Sequence, residues 1–343
     1  MSPAVLANGI RFARFLFAVG LTFLGLTVAT FVIGRVVPID PVLAVVGDHA
    51  PAGVYARARA DMGIDLPLYA QYWRYLTHVI HGDFGTSVIT SRPVLEDLTR
   101  VFPATLELSS LALVIGVAAG IPLGVIAASR RGRWPDQAVR LGSLLGYSTP
   151  IFWLGLLGLL VFYARLGWVA GPGRLDVGYE DVVEPWSGLL LVDSARVGEW
   201  GVFGNAVSHL ILPASILGLY SLAYIARMTR SFMLGQLQQD YIVAAYAKGL
   251  SRGRVVWVHA LGNIWVPLIT VVALAFGTLL EGAVLTETVF AWPGLGLYLK
   301  NSLFNADMNA VLGGTVLIGL VYIGLNVLSD VLYPLVDPRA RRR

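Results

Sequence analysis

Long apolar stretches alternate with short polar segments along the whole chain. Six of the apolar stretches reach the ~20 residues a helix needs to cross a bilayer core. They are Phe15 to Val37, Thr105 to Ala128, Val139 to Tyr163, His209 to Met228, Trp265 to Leu285 and Ala310 to Leu335. The pattern predicts an all-α polytopic membrane protein with six transmembrane helices. The first stretch is too long for a removable signal peptide and lacks a small-residue cleavage site, so it is expected to stay as an anchor.

Between the first two spans, Leu68, Tyr72, Tyr75, Leu76 and Val79 recur at helical spacing, and Gly82-Asp83-Phe84-Gly85 reads as the turn that ends the helix. Pro103 stands where a helix can begin. The second span carries Gly116, Ala118, Ala119, Gly120 and Gly124, small residues that permit close helix packing or a narrow pore wall. In the third, Thr149-Pro150 predicts a bend followed by aromatics. The Pro293-Gly294 turn after the fifth span predicts a re-entrant or external loop. No fold is legible between Gly171 and Gly204.

Composition strengthens the membrane reading: of 343 residues, 56% are hydrophobic and only 13% charged, and the mean hydropathy is +0.71. Charge adds orientation. Arg11 and Arg14, Arg130 to Arg133, Arg227 to Arg254 and Arg339 to Arg343 cluster on one side of the spans, whereas Asp40, Asp48, Asp61, Asp65, Asp83, Glu180, Asp181 and Glu184 lie on the other. Basic loops stay in the cytoplasm, so both termini are expected inside. The pI near 9.4 then reflects lipid headgroups and is no argument for nucleic acid. Without cysteine there is no disulfide or thiol chemistry. His78-x-x-His81 reads as a solvated helix face, and no metal site is expected.

Two carboxylates in the spans are candidates for a translocation path, because charge in a bilayer is costly. Glu107 lies just inside the second span, where a pair with Arg100 is the structural expectation; Glu281 is the deepest ionisable residue of the fifth. Pro293 and Gly294 join them through the predicted loop.

One polar stretch between the fourth and fifth spans, Asp240 to Pro267, is patterned as two short helices broken at Gly249, with Ser251 placed to cap the second. Ala244 and Ala245 are expected to leave the first helix a bare face for a partner, ringed by Lys248, Arg252 and Arg254. The run Val243-Ala244-Ala245-x-x-x-Gly249 resembles the EAA loop of binding-protein-dependent ABC importer permeases. Two departures accompany it: Val243 replaces the acidic residue, and Pro267 lies further from the glycine than in the generic pattern. Both are familiar in the peptide-permease branch. Collinear with this loop stand Gly63-Ile-Asp65-x-Pro67-Leu68-x-x-Gln71-Tyr72, Gly82-Asp83-x-Gly85-x-Ser87, Pro103-Ala104-Thr105-Leu106-Glu107, Pro150-x-Phe152-Trp153, Glu287-x-x-Phe290-x-x-Pro293-Gly294-Leu295-Gly296 and Asp337-Pro338-Arg339. Together they resemble the oligopeptide, dipeptide and nickel ABC importer permeases, first-permease type, over nearly the whole chain.

The resemblance implies a type I ABC importer permease fold: a transmembrane helix over 1–37, an external helical region over 38–102, a core permease domain over 103–336 with its coupling loop at 240–262, and a basic cytoplasmic tail over 337–343. It implies that Ala244, Ala245, Lys248, Gly249, Leu250, Ser251 and Arg252 couple to an ATPase. It further implies a second homologous permease, two ATP-binding subunits, an extracytoplasmic solute-binding protein, a bacterial inner-membrane location, and short peptides as cargo, with nickel chelates or other small solutes as the alternative. No cofactor is expected on this chain, ATP and Mg²⁺ belonging to partner subunits. The residues agree, since the only lysines, Lys248 and Lys300, are followed by Gly249 and Asn301, where a phosphate-binding loop needs Ser or Thr. A stand-alone secondary transporter is the rival, disfavoured because the two halves show no convincing repeat.

Overall fold

The computed structural model describes residues 3–36, 41–47, 50–61 and 63–336. The basic tail expected at 337–343, with its Asp337-Pro338-Arg339 motif, lies outside them. Among the described residues every regular element is a helix, and the chain's contacts divide it into two compact units, residues 1–100 with 298–324 and residues 101–297 with 325–343.

In the first unit, α1 (Pro3–Val36) is followed by short α2 (Pro41–Val46) and α3 (Ala52–Asp61), then α4 (Leu68–Ile80). The aromatic stripe read from the sequence is what seats α4 on α1: Tyr72 and Tyr75 hydroxyls meet Thr27 and Thr30 at 3.0 and 2.8 Å, and both rings pack on Phe31. The turn after α4 forms as expected, with Gly82 and Gly85 in the left-handed region and Asp83 accepting from the Gly85 amide and pairing with His78 at 2.7 Å. Ser87 then donates to Asp307 at 2.5 Å, tying this turn to the start of the helix Met308–Val336.

The second unit holds α6 (Trp134–Ser148), α7 (Ile151–Gly158, continuing as a π-helix over Leu159–Arg165), α8 (Leu190–Val197), α9 (Trp200–Gln236), α10 (Asp240–Ala247), α11 (Arg252–Arg254, continuing as a π-helix over Val255–Ala260) and α12 (Trp265–Val289). The 36-residue α5 (Val94–Ser129) begins in the first unit and continues into the second. It starts at Val94, nine residues before Pro103, which therefore sits inside the helix and not at its beginning. The proline removes only one amide, the one that would have bonded the Thr99 carbonyl.

Five described helices are long and apolar enough to cross a membrane, and α6 with α7 makes a sixth only as a pair bent by 95°. The third span is thus a broken one, hinged at Thr149-Pro150, because a residue before proline is forced out of the helical region; Thr149 is extended at ψ 127°. The small residues of the second span serve close packing. A side chain at Gly120 or Gly124 would press into Ile225 or Thr229 of α9, and Ser221 donates to the Ala112 carbonyl at 3.1 Å.

Candidate functional site

α10 and α11 form the polar connection between α9 and α12. The break between them falls at Gly249, whose φ of 78° a residue with a Cβ rarely adopts. Ser251 occupies the cap position with extended backbone, but its side chain bonds no helix amide; its carbonyl instead accepts from Val255. The expected bare alanine face is corrected by the structure. At 100° per residue successive positions turn to different sides of a helix, and Ala245 is buried with Ile242 whereas Ala244 is exposed.

α10 presents Tyr241, Val243, Ala244 and Tyr246 to solvent, with Val243 67% exposed, and Lys248 at its C-terminal cap is exposed too. Its inner face joins a single apolar cluster with Ile121, Val125 and Ala128 of α5, Ile225 and Met233 of α9, Val255, Val256 and Ala260 after α11, and Leu268 and Val271 of α12. Arg252 donates to the Ser129 carbonyl at 2.5 Å, closing the C-terminal end of α5 where a cation is favourable. The connection is thus locked to the ends of three long helices. Lys248, Gly249 and Arg252 are exposed and Leu250 packs partly against the cluster.

The carboxylates fall elsewhere than expected. Glu107 is bonded not to Arg100 but to Arg174 at 2.6 Å and to the Leu191 amide at 2.7 Å. Because α5 is continuous, Arg100 lies two turns, about 10 Å, from Glu107, and it pairs with Glu96 one turn away. Arg174 spans the loop that the sequence left unread: it reaches the Gly188 carbonyl at 2.9 Å and lies 5.8 Å from the Trp292 ring. In the same segment Asp193 gathers Ser187 and the amides of Trp186, Ser187 and Gly188. Burial opposes ionisation of Asp193, but those hydrogen bonds outweigh it and hold the carboxyl below its ordinary range.

Glu281 is exposed on α12, while Glu287, seven residues on, is wholly buried. Glu287 accepts from Thr105 at 2.5 Å and from the Leu297 amide at 2.9 Å. The Thr105 hydroxyl also accepts from Leu295, and the Trp292 indole donates to the Ala104 carbonyl. The Pro293-Gly294 turn is therefore clamped onto α5, with Gly294 buried where a Cβ would strike Glu287 and Thr105, and Pro293 exposed at its tip. Sequence reasoning placed both motifs but did not see that they meet, and it passed over Arg174 altogether; an arginine in an acidic external segment was the one available signal.

With this geometry in view, comparison with known proteins is specific. Residues 120–342 match the family described as binding-protein-dependent transport system inner membrane component, and residues 10–109 match its N-terminal region. The chain is 46% identical over 318 residues to the probable D,D-dipeptide transport system permease protein DdpB of Escherichia coli K12, covering 93% of each. It is 45% identical to the di/tripeptide transport system permease protein DppB of Pseudomonas aeruginosa, covering 94% of this chain and 96% of that one. The dipeptide permease DppB of Escherichia coli K12 is 44% identical over the same shares. Among solved structures, an inward-facing form of the MetNI methionine ABC transporter aligns with a TM-score of 0.52 at 18% identity, covering 70% of this chain and 96% of that one, a likeness of fold.

Proposed function

The chain belongs to the binding-protein-dependent transport system inner membrane component family, and from that premise we propose that it forms half of the translocation path for short peptides in an ATP-driven importer. It is a multi-pass inner-membrane permease. The peptide assignment rests on relatives named for dipeptide or tripeptide transport at 44 to 46% identity over more than nine-tenths of the chain.

The observation that carries the mechanism is the divided face of α10. Ile242 and Ala245 hold it to the cluster shared by α5, α9 and α12, while Val243, Ala244 and Tyr246 are left uncovered on the other side. Exposed apolar side chains on a short polar connection fit a protein partner. In our reading that partner is one of two ATP-binding subunits, with ATP and Mg²⁺ held there. Closure of those subunits displaces α10, and the shared cluster transmits the movement to three spans, opening the path alternately to each side. A second, homologous permease completes the path, and a solute-binding protein delivers the cargo from outside.

The test is gentle purification from native membranes after cross-linking, with mass spectrometry of the partners and of retained ligand. Two ATP-binding subunits, a second permease and a peptide-loaded binding protein are expected. Recovery of the chain alone or as a homo-oligomer, where a control importer stays whole, overturns the reading.

A further inference from the structure

Tyr220, Tyr224 and Arg227 of α9 stand at i, i+4 and i+7, one stripe of a span that is otherwise apolar. This chain covers the stripe only in part: Tyr220 and Tyr224 are half-buried, whereas Arg227 is exposed and Tyr147, opposite it on α6, is 49% exposed. The Tyr147 and Tyr220 rings stack at 5.1 Å. The Arg227 guanidinium lies 5.3 Å from the Tyr147 ring and 6.0 Å from that of Tyr224.

The direction of this side chain is informative. α6 and α9 run antiparallel, with Asp136 bonded to Arg230 at one end and Gly146 against Ala223 at the other. Asp136 follows the basic Arg130 to Arg133 turn, which marks the cytoplasmic end. Tyr147 is eleven residues along α6, roughly 16 Å further into the span. Arg227 reaches toward Tyr147, as helical side chains lean toward their N-terminus, so it turns away from the headgroup level that a snorkelling arginine seeks.

Arg230, three residues on, has Asp136. Arg227 has no such partner: among the described residues it forms no ion pair, and its N–H donors reach no protein acceptor. Contacts with ring faces stabilise the cation but leave the N–H donors unbonded, and a cation at span depth with unbonded donors faces water or a ligand. Guanidinium matches carboxylate in a fork, and the flanking tyrosines offer flat apolar walls and hydroxyls to the remainder of a small solute.

We propose that Arg227, flanked by Tyr147 and Tyr224, is a specificity-determining site on the transport path that receives the carboxylate of the passing solute. The proposal rests on the peptide-import reading above and names the group of the peptide that is held, its C-terminal carboxylate. A lipid phosphate is the other oxyanion that could occupy the site, and the experiment separates the two.

The intact transport complex with its partner subunits is reconstituted in vesicles, and uptake of labelled dialanine is measured per ATP hydrolysed. Arg227→Gln is expected to lower that ratio about tenfold or more, the loss of one charge-assisted contact, while ATP hydrolysis stimulated by the loaded binding protein is retained and Arg227→Lys recovers part of the uptake. An unchanged ratio overturns the proposal. So does reduced recovery of the assembled complex, which would make Arg227 a subunit contact, or an equal loss in wild type when anionic lipid is omitted, which would assign it to phosphate. A wild-type complex that hydrolyses ATP yet takes up no peptide overturns the import reading itself, and this site with it.

Discussion

Thr105 donates its hydroxyl to Glu287 at 2.5 Å across 182 residues of sequence. The same hydroxyl accepts from the Leu295 amide, so one threonine joins the start of the second span to the turn after the fifth. Replacing it with valine keeps the shape and removes both bonds, leaving a buried carboxylate oxygen and a buried amide short of partners. The expected cost is about 1–3 kcal/mol, read as a lowered midpoint of thermal unfolding in detergent. Thr105→Ser, which keeps the hydroxyl, should lose much less. Equal loss in both would show that the methyl group and not the hydrogen bonds matters.

The two alanines of α10 should respond oppositely. Ala245 is buried in the apolar cluster, so Ala245→Trp overpacks this chain itself, at about 1–3 kcal/mol, and lowers its yield and melting temperature. Ala244 is exposed, so Ala244→Trp should leave both unchanged while blocking recovery of ATP-binding subunits in a pull-down. Normal recovery with Ala244→Trp would remove α10 from the partner interface.

Glu107 and Arg174 form a pair whose side chains are only 7% and 18% exposed. Removing one member strands the other, and Arg174→Met is expected to cost about 3 kcal/mol or more. The damage should be local first: limited proteolysis within 175–189 should accelerate well before the spans unfold. Proteolysis at the wild-type rate would mean that Arg174 is not what holds this segment.

Acid should loosen the same segment. The hydrogen bonds that Asp193 accepts favour its charged form, so its folded pKa lies below the ordinary carboxylate range. The resulting stability is complete above the ordinary carboxylate range and is lost as pH falls through the lowered folded value. Hydrogen exchange of the amides of Trp186, Ser187 and Gly188, corrected for intrinsic rates, should show protection that holds at pH 5 and declines below the ordinary range. Asp193→Asn should lack that protection at every pH. Loss of wild-type protection already between pH 7 and 5 would point to a different titrating group.

Much of this molecule follows from its one-dimensional pattern. Apolar blocks of bilayer length dictate the spans, because backbone in lipid has to satisfy its hydrogen bonds within a helix. The aromatic stripe of α4 and the breaks at Gly82, Gly85 and Gly249 are local choices of periodicity and φ, and they stand where the sequence puts them. Side-chain partners are another matter. Glu107 found Arg174 and not Arg100 because α5 runs unbroken through Pro103, and Ala245 turned inward while Ala244 turned out because α10 had to lay one face on α5, α9 and α12. The bend at Thr149-Pro150 is likewise local, but the clamp of Glu287 on Thr105 depends on where distant helices pack. Proximity between residues far apart in sequence is set by the packing of whole elements, and no local propensity encodes it.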